Sequence, residues 1–267
     1  MAHLILVVPC YNEERRLPVQ GFEAFSLPGH RVEFCFVDDG STDGTAHVLR
    51  RLQERQPGRC WSVSLPRNSG KAEAVRRGFL AALERKPDHV GFWDADLATP
   101  LDEVGRLVEA LEADPDRQMV FGARVQLMGR TIERRASRHY LGRVFATAVS
   151  LSLGLPIYDT QCGAKLFRAT GDLAAVFASP FRSRWIFDVE IVARFLQVAA
   201  RDGRPPAERA IYELPLRRWK DVAGTKLKPA DFLRAVRELW TIRRAYPRLS
   251  TSATSAARSG PPAGGAC

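Results

Sequence analysis

Apolar and polar residues alternate in blocks along the first half of the chain. Short runs rich in branched and aromatic side chains predict strands: LILVV (4–8), VEFCFV (32–37), CWSVSL (60–65), HVGFW (89–93) and QMVFG (118–122). Between them, amphipathic stretches near 44–55, 71–85 and 101–112 predict helices. This rhythm is that of a parallel sheet with helices on its faces. The second half is less regular. It predicts helices over 133–152 and 187–200, a strand over 209–216 and a basic amphipathic helix over 229–245. In that last helix Phe232, Leu233, Val236, Leu239 and Trp240 fall on one stripe. From about Leu249 to Cys267 the chain is rich in Ser, Thr, Ala, Gly and Pro, the composition of a disordered tail.

The longest low-charge stretch, Val144–Tyr158, contains Gly154 and Pro156 and is too short to span a bilayer. Two readings stay open for it: a core helix, or a face that lies on a membrane surface. The net charge of +10 points to an anionic partner, and phosphate ligands, acidic lipid headgroups and nucleic acid all qualify. Five cysteines (10, 35, 60, 162 and 267) form no CxxC pair, and Cys10 and Cys35 sit in or beside strand-like runs. Buried free thiols and a reducing cytoplasm are expected. The start, Met1–Pro9, lacks the basic flank of a secretory leader.

In an open parallel sheet, ligands bind beyond the carboxyl ends of the strands. Here the first strand runs into VPCYNEE, the second into VDDGSTDGT and the fourth into DADLATP, while NSGKAEAVRRG follows the third. Ser41, Thr42 and Asp43 suit a cap for the helix near Thr45. Capping accounts for one such cluster, and a shared nucleotide-diphosphate site accounts for all four. Asp94 and Asp96, one residue apart at a strand end, point the same way. Side by side they repel unless a cation or a hydrogen-bond network lies between them. Mg²⁺ or Mn²⁺ is such a cation, bound by one or two carboxylates and completed by phosphate oxygens and water.

In order and spacing these motifs resemble glycosyltransferase family 2, with its GT-A fold. YDTQCGAKLFRA (158–169), RWIFDVEIVARF (184–195) and WKDVAGTKL (219–227) extend the likeness to the branch of dolichyl-phosphate β-glucosyltransferases and their bacterial polyprenyl-phosphate relatives. The resemblance implies a single α/β domain over 1–247 with a mixed central sheet and a Rossmann-like nucleotide-binding part. Within it, 1–98 would form the nucleotide-sugar half, 99–226 the acceptor half and 227–247 the basic helix, with 248–267 as tail. It further implies that Pro9, Tyr11 and Glu13 line the base and ribose pocket, that Asp39 accepts from uracil and that Asp38 lies near the ribose. Lys71 would face the nucleotide end of the donor. Asp94 would sit at the ribose and sugar, and Asp96 would ligate the metal. Two positions depart from related patterns. Ala98 stands where a further metal ligand is often found, and GKAEA puts the acid Glu73 near a phosphate-binding loop.

Six arginines (124, 130, 134, 135, 138 and 143) and one acid, Glu133, fall between Arg124 and Arg143. No aromatic stacking platform accompanies them, which argues against nucleic acid. A clamp on an anionic acceptor is favoured over a merely solvated face. By resemblance, Arg124, Arg134 or Arg135, and Ser137 would hold the phosphate of a polyprenyl phosphate, with Lys226 approaching from the far side. A hydroxyl acceptor would instead need a general base, for which Asp188 and Asp159 are the candidates. The expected function is inverting transfer of glucose from UDP-glucose to polyprenyl phosphate, by a cytoplasmic protein peripheral on the inner face of the plasma membrane. A soluble family 2 enzyme acting on a hydroxyl is the alternative. A non-catalytic anion-binding protein leaves the acid pair unexplained, and a nucleotidyltransferase leaves DTQCG unexplained.

Overall fold

A computed structural model describes residues 1–133, 136–201, 207–221 and 229–246, with side chains described at all of these except 136–141, 207–208 and 229–233. Arg134, Arg135, Lys226 and the expected tail lie outside the described residues, as does the side chain of Ser137. The first half runs β1 (Ala2–Cys10), α1 (Val19–Ala24), β2 (His30–Asp38), α2 (Thr45–Arg55), β3 (Cys60–Ser64), α3 (Lys71–Leu83), β4 (His89–Trp93), α4 (Glu103–Glu112) and β5 (Met119–Ala123). The second half runs β6 (Thr131–Glu133), α5 (Ala136–Leu153), β7 (Ala164–Arg168), α6 (Gly171–Phe177), α7 (Phe187–Arg201), α8 (Ala207–Ala210), β8 (Ile211–Pro215), β9 (Arg218–Lys220) and α9 (Pro229–Ala245).

Among the described residues seven strands form one sheet in the order β3-β2-β1-β4-β7-β5-β8, and β6 pairs with β9 apart from it. β1, β2, β3 and β4 are parallel neighbours. β7 enters antiparallel between β4 and β5, with Trp93 opposite Ala164 and Phe121 opposite Lys165. The sheet is therefore mixed, as the family resemblance implies, and not wholly parallel as the strand–helix rhythm alone predicts. Its strands read as continuous apolar runs because both faces are covered. Along β1, Ile5 and Val7 join one core, and Leu4, Leu6 and Val8 join the other. The first core also takes in Phe79 of α3, Val149 of α5, Phe177 of α6 and Val192 of α7, and the second Phe22 of α1, Leu49 of α2 and Leu107 of α4.

The sequence reading passes over β7. Its run AKLFR contains a lysine and an arginine, yet Lys165 is almost wholly buried. Lys165 Nζ donates to Asp188 Oδ1 at 2.6 Å and to the carbonyl of Cys162 at 2.5 Å, so its charge is satisfied inside. The stripe expected on α9 divides. Leu239 packs with buried Ala235 and Ile242 against the core, whereas Val236 and Trp240 face outward. α5 behaves likewise, with Val149 and Leu153 in the core and Val144 and Leu151 exposed.

At the sheet edge opposite the motif-bearing loops, His89 begins β4 almost fully buried, and its Nδ1 has no hydrogen-bond partner. Burial pushes its pKa below the ordinary 6.5, against the pull of Glu112, whose carboxylate lies 3.8 Å away. The unfolded chain then binds more protons than the folded one below pH 6.5, so ionisation of His89 leaves stability untouched above that pH and lowers it as pH falls. Urea unfolding of His89→Gln between pH 7.5 and 5 should lose stability less steeply on the acid side than the parent protein.

Candidate active site

Because β7 is antiparallel, its leading loop meets the carboxyl ends of β1, β2, β4 and β5 at one edge of the sheet. Strand order turns about β1, with β2 and β3 to one side and β4 to the other, and a crevice opens at such a point. Four of the sequence motifs converge there, together with DTQCG. Pro9 is the penultimate residue of β1, before buried Cys10, Tyr11 is exposed, and Glu13 is buried with its carboxylate on Arg16 at 3.0 Å. Burial raises the Glu13 pKa against the pull of Arg16, and nearby Asp96 adds to the rise.

The β1 and β2 loops are sewn to each other. Asn12, at φ 55°, accepts from the Thr42 N–H at 2.9 Å and donates its own N–H to Ser41 Oγ at 3.0 Å. The N-cap of α2 is Gly44 rather than Ser41, Thr42 or Asp43, although Asp43 accepts from the N–H of Thr45, the first helical residue, at 3.0 Å. Asp38 accepts from the Ser41 N–H at 2.9 Å. Asp39 reaches the other way, its two carboxylate oxygens taking the N–H groups of Ser69 and Gly70 at 2.7 and 2.8 Å. Burial nevertheless raises the Asp39 pKa. Gly70 has φ 95°, a conformation that suits glycine, and a side chain there would meet the guanidinium of Arg184.

Lys71 follows as the first residue of α3, and its Nζ lies 2.5 Å from Asp94 Oδ1. Burial alone would lower its pKa, but Asp94, Asp188 and Asp96 outweigh that and raise it. Glu73, without a role in the sequence, proves to be an internal clip. It binds Arg76 through two 2.7 Å hydrogen bonds, and Arg76 in turn donates to the Ala178 carbonyl at 3.2 Å.

DADLATP closes as a tight turn. The Trp93 indole donates to the Thr99 carbonyl at 2.7 Å, the Ala98 N–H donates to Asp96 Oδ1 at 3.0 Å, and Leu97 sits at φ 50°. Asp94 donates its N–H to the Gly163 carbonyl at 2.9 Å, and any side chain on Gly163 would fall on the Asp94 carboxylate. Burial and then the charge of Asp94 raise the pKa of Asp96. Mutual repulsion therefore persists in the folded protein, with Lys71 as the contacting cation. Among the described residues no group of three His, Cys, Asp or Glu could hold a metal by itself. Two hard carboxylates fit a divalent ion whose other ligands come from a phosphate and water, and Ala98 adds none.

Next to the acids, a cavity of about 40 Å³ is lined by Arg124, Arg143, Tyr158, Asp159 and Gln161, among others. Arg124 is bound bidentately to Asp159 at 2.7 and 2.8 Å, and both are largely buried. Glu213 of β8 fixes that turn by accepting from the N–H groups of Tyr158 and Asp159 at 2.6 and 2.7 Å. Arg143 stacks over the Tyr158 ring at 3.8 Å, and the buried Nε2 of Gln161 has no hydrogen-bond partner. Sequence reasoning missed Gly163, Lys165, Gln161 and Arg184 as individuals, although each lies in a motif it singled out.

A mixed sheet with this strand order, carrying an acid pair at its switch point, is a GT-A fold of the glycosyltransferase class. Residues 5–173 match the family described as "Glycosyl transferase family 2", and the chain belongs to that family. It is 34% identical over 261 residues to the dolichyl-phosphate beta-glucosyltransferase of Mus musculus, spanning 91% of this chain and 75% of the relative. The protein of that name from Saccharomyces cerevisiae is 30% identical over 263 residues, with coverage of 91% and 75%. Glucosyl-3-phosphoglycerate synthase from Mycobacterium tuberculosis, solved in complex with Mn²⁺, UDP and glucosyl-3-phosphoglycerate, shares the fold. Its TM-score is 0.61 at 22% identity, covering 92% of this chain and 80% of that one.

Gly163→Ala tests whether the acid pair depends on the strand behind it. Displacing Asp94 by about 1 Å should cut glycosyl transfer about a hundredfold. Circular dichroism should stay native, and steady-state assays of the folded variant measure the loss.

Proposed function

We propose that the protein is an inverting, metal-dependent glucosyltransferase that moves glucose from UDP-glucose to a polyprenyl phosphate at a membrane surface. The observation that carries this reading is adjacency: the acid pair and the arginine-lined cavity share one loop, with Asp159 and Gln161 on the cavity and Gly163 against Asp94. The names of the relatives, dolichyl-phosphate beta-glucosyltransferase, agree with it.

In this reading Pro9, Tyr11, Glu13, Asp38 and Asp39 receive the uridine. The diphosphate meets Lys71 at the first turn of α3, where free N–H groups and the helix dipole favour an anion. Asp94 and Asp96 would hold Mg²⁺ or Mn²⁺, which supplies Lewis-acid charge to the leaving diphosphate. Arg143, stacked on Tyr158, and the unpaired amide of Gln161 offer donors to the acceptor phosphate beside the Arg124–Asp159 pair. Arg134, Arg135, Ser137 and Lys226 are assigned to the same phosphate by family likeness.

A phosphate oxygen of the acceptor attacks the anomeric carbon, the bond from that carbon to the UDP oxygen breaks, and the configuration inverts. With a second pKa near 6, a phosphate monoester is already ionised at neutral pH and needs no base. The two candidate bases support this: Asp188 is paired with buried Lys165, and Asp159 with Arg124. Asp188 then serves to position the loop around it. Among the described residues no helix is long and apolar enough to cross a membrane. The outward residues Val144 and Leu151 of α5, with Val236, Trp240, Arg237 and Arg243 of α9, suit shallow contact with an anionic surface. Each basic residue there contributes roughly 1 kcal/mol.

The test uses labelled UDP-glucose, Mg²⁺ or Mn²⁺, and polyprenyl phosphate in anionic vesicles. Label should pass to the lipid, and excess EDTA or Asp96→Asn should abolish transfer without loss of fold. Arg143→Ala should raise KM for the lipid about tenfold while leaving KM for UDP-glucose unchanged. Transfer to water-soluble hydroxyl acceptors alone, with no salt-sensitive vesicle binding, would refute the lipid assignment.

A further inference from the structure

The turn that precedes α7 lies beyond the residues matched by the family, as does α9. Backbone N–H groups at the start of a helix need partners from outside it. The residues just before α7 have N–H groups to satisfy as well, and two glutamates accept them. Glu190 of α7 accepts from the N–H groups of Arg182 and Ser183 at 3.1 and 2.9 Å. Glu238 of α9 accepts from Ser183 Oγ at 2.5 Å and from the N–H groups of Trp185 and Ile186 at 3.1 and 3.3 Å. Ser183 is itself buried and takes the Ile186 N–H at 2.9 Å. Residue 184, between these fixed points, is exposed and extends toward the donor loop.

Arg184 Nη2 donates to the Ser69 carbonyl at 3.2 Å, and its guanidinium covers the bare face of Gly70. Ser69 and Gly70 are the residues whose N–H groups Asp39 holds, and Lys71 comes next. A continuous path therefore runs from Glu238 through the 183–186 turn and Arg184 to the loop between β3 and α3.

We propose that Glu238 is a positioning residue for nucleotide binding: by fixing the 183–186 turn, α9 sets Arg184 against the Ser69–Gly70 loop and so shapes the pocket for a uridine diphosphate. The inference rests on the donor site lying at Asp39 and Lys71. A second tether of α9, Tyr246 Oη at 3.1 Å from Glu190 Oε1 and 3.0 Å from Arg194 Nε, meets the turn only through a carboxylate that Arg194 also holds at 2.8 Å. It serves as an internal control for mere loss of stability.

Calorimetry with UDP on the full chain, alongside thermal melts, tests the proposal. Glu238→Gln and Arg184→Gln should each weaken UDP binding about five- to tenfold, within the span of measured coupling between linked sites. The double variant should be no weaker than the worse single one, because both changes break one path. Should Glu238→Gln not fold, Ser183→Ala removes one of its three donors and should weaken UDP about twofold, in proportion. Tyr246→Phe should lower the melting temperature and leave UDP affinity unchanged. The proposal fails if Glu238→Gln or Ser183→Ala binds UDP like the parent, if the two losses multiply, or if Tyr246→Phe weakens UDP equally. A parent protein that takes up no UDP overturns the donor reading itself, and this inference with it.

Discussion

Two like charges held next to each other set the terms for the whole carboxyl edge of the sheet. Burial and the neighbouring charge of Asp94 both raise the cost of ionising Asp96. The Gly163 carbonyl and the Trp93–Thr99 hydrogen bond lock the turn that bears them. What surrounds them answers that repulsion. Lys71 lies against Asp94, Gly163 gives the carboxylate room, and the cation Lys165 is buried one strand away. The pair is a standing demand for positive charge, and α3 meets it at the helix end where an anion would also be welcome.

Much of this was legible in the residues. β4 falls on the five residues of HVGFW and α9 on 229–245, since apolar runs and helical periodicity are local signals. The acids at strand ends were legible too, because few other patterns put charge directly after an apolar run. β7 was not. Its alternation is broken by Lys165, and what makes that residue tolerable in a core is Asp188, more than twenty positions later in sequence and 2.6 Å away in space. No local window contains both. Glu73 was opaque for a similar reason. Its partner Arg76 is close in sequence, but the role of the pair depends on carbonyls at the end of α6.

The basic balance of the chain also has a different meaning once folded. Several arginines work as interior fasteners. Arg168 donates to the carbonyls of Leu111, Asp114 and Arg117, and Arg194 to those of Val176, Ser179 and Pro180. A planar guanidinium with five donors can collect carbonyls that no regular element satisfies. Such residues are spent on holding the interior together, and Arg194 is also matched by the carboxylate of Glu190. The arginines that line the cavity are therefore few, and one of them, Arg124, is already matched to an acid.

The interleaving of β7 has an evolutionary corollary. β4 and β5 are separated in the sheet by a strand that comes after both in the chain, so the whole excursion from Arg124 to Gly163 leaves the sheet and returns to its centre. Loop-closure cost rises only with the logarithm of length. That excursion can lengthen, shorten or be exchanged while the register of β7, and with it the seat of Asp94, is kept. The architecture works as a fixed socket with a variable insert, in which the chain between β5 and β7 can change while the turn that carries Asp94 stays where it is.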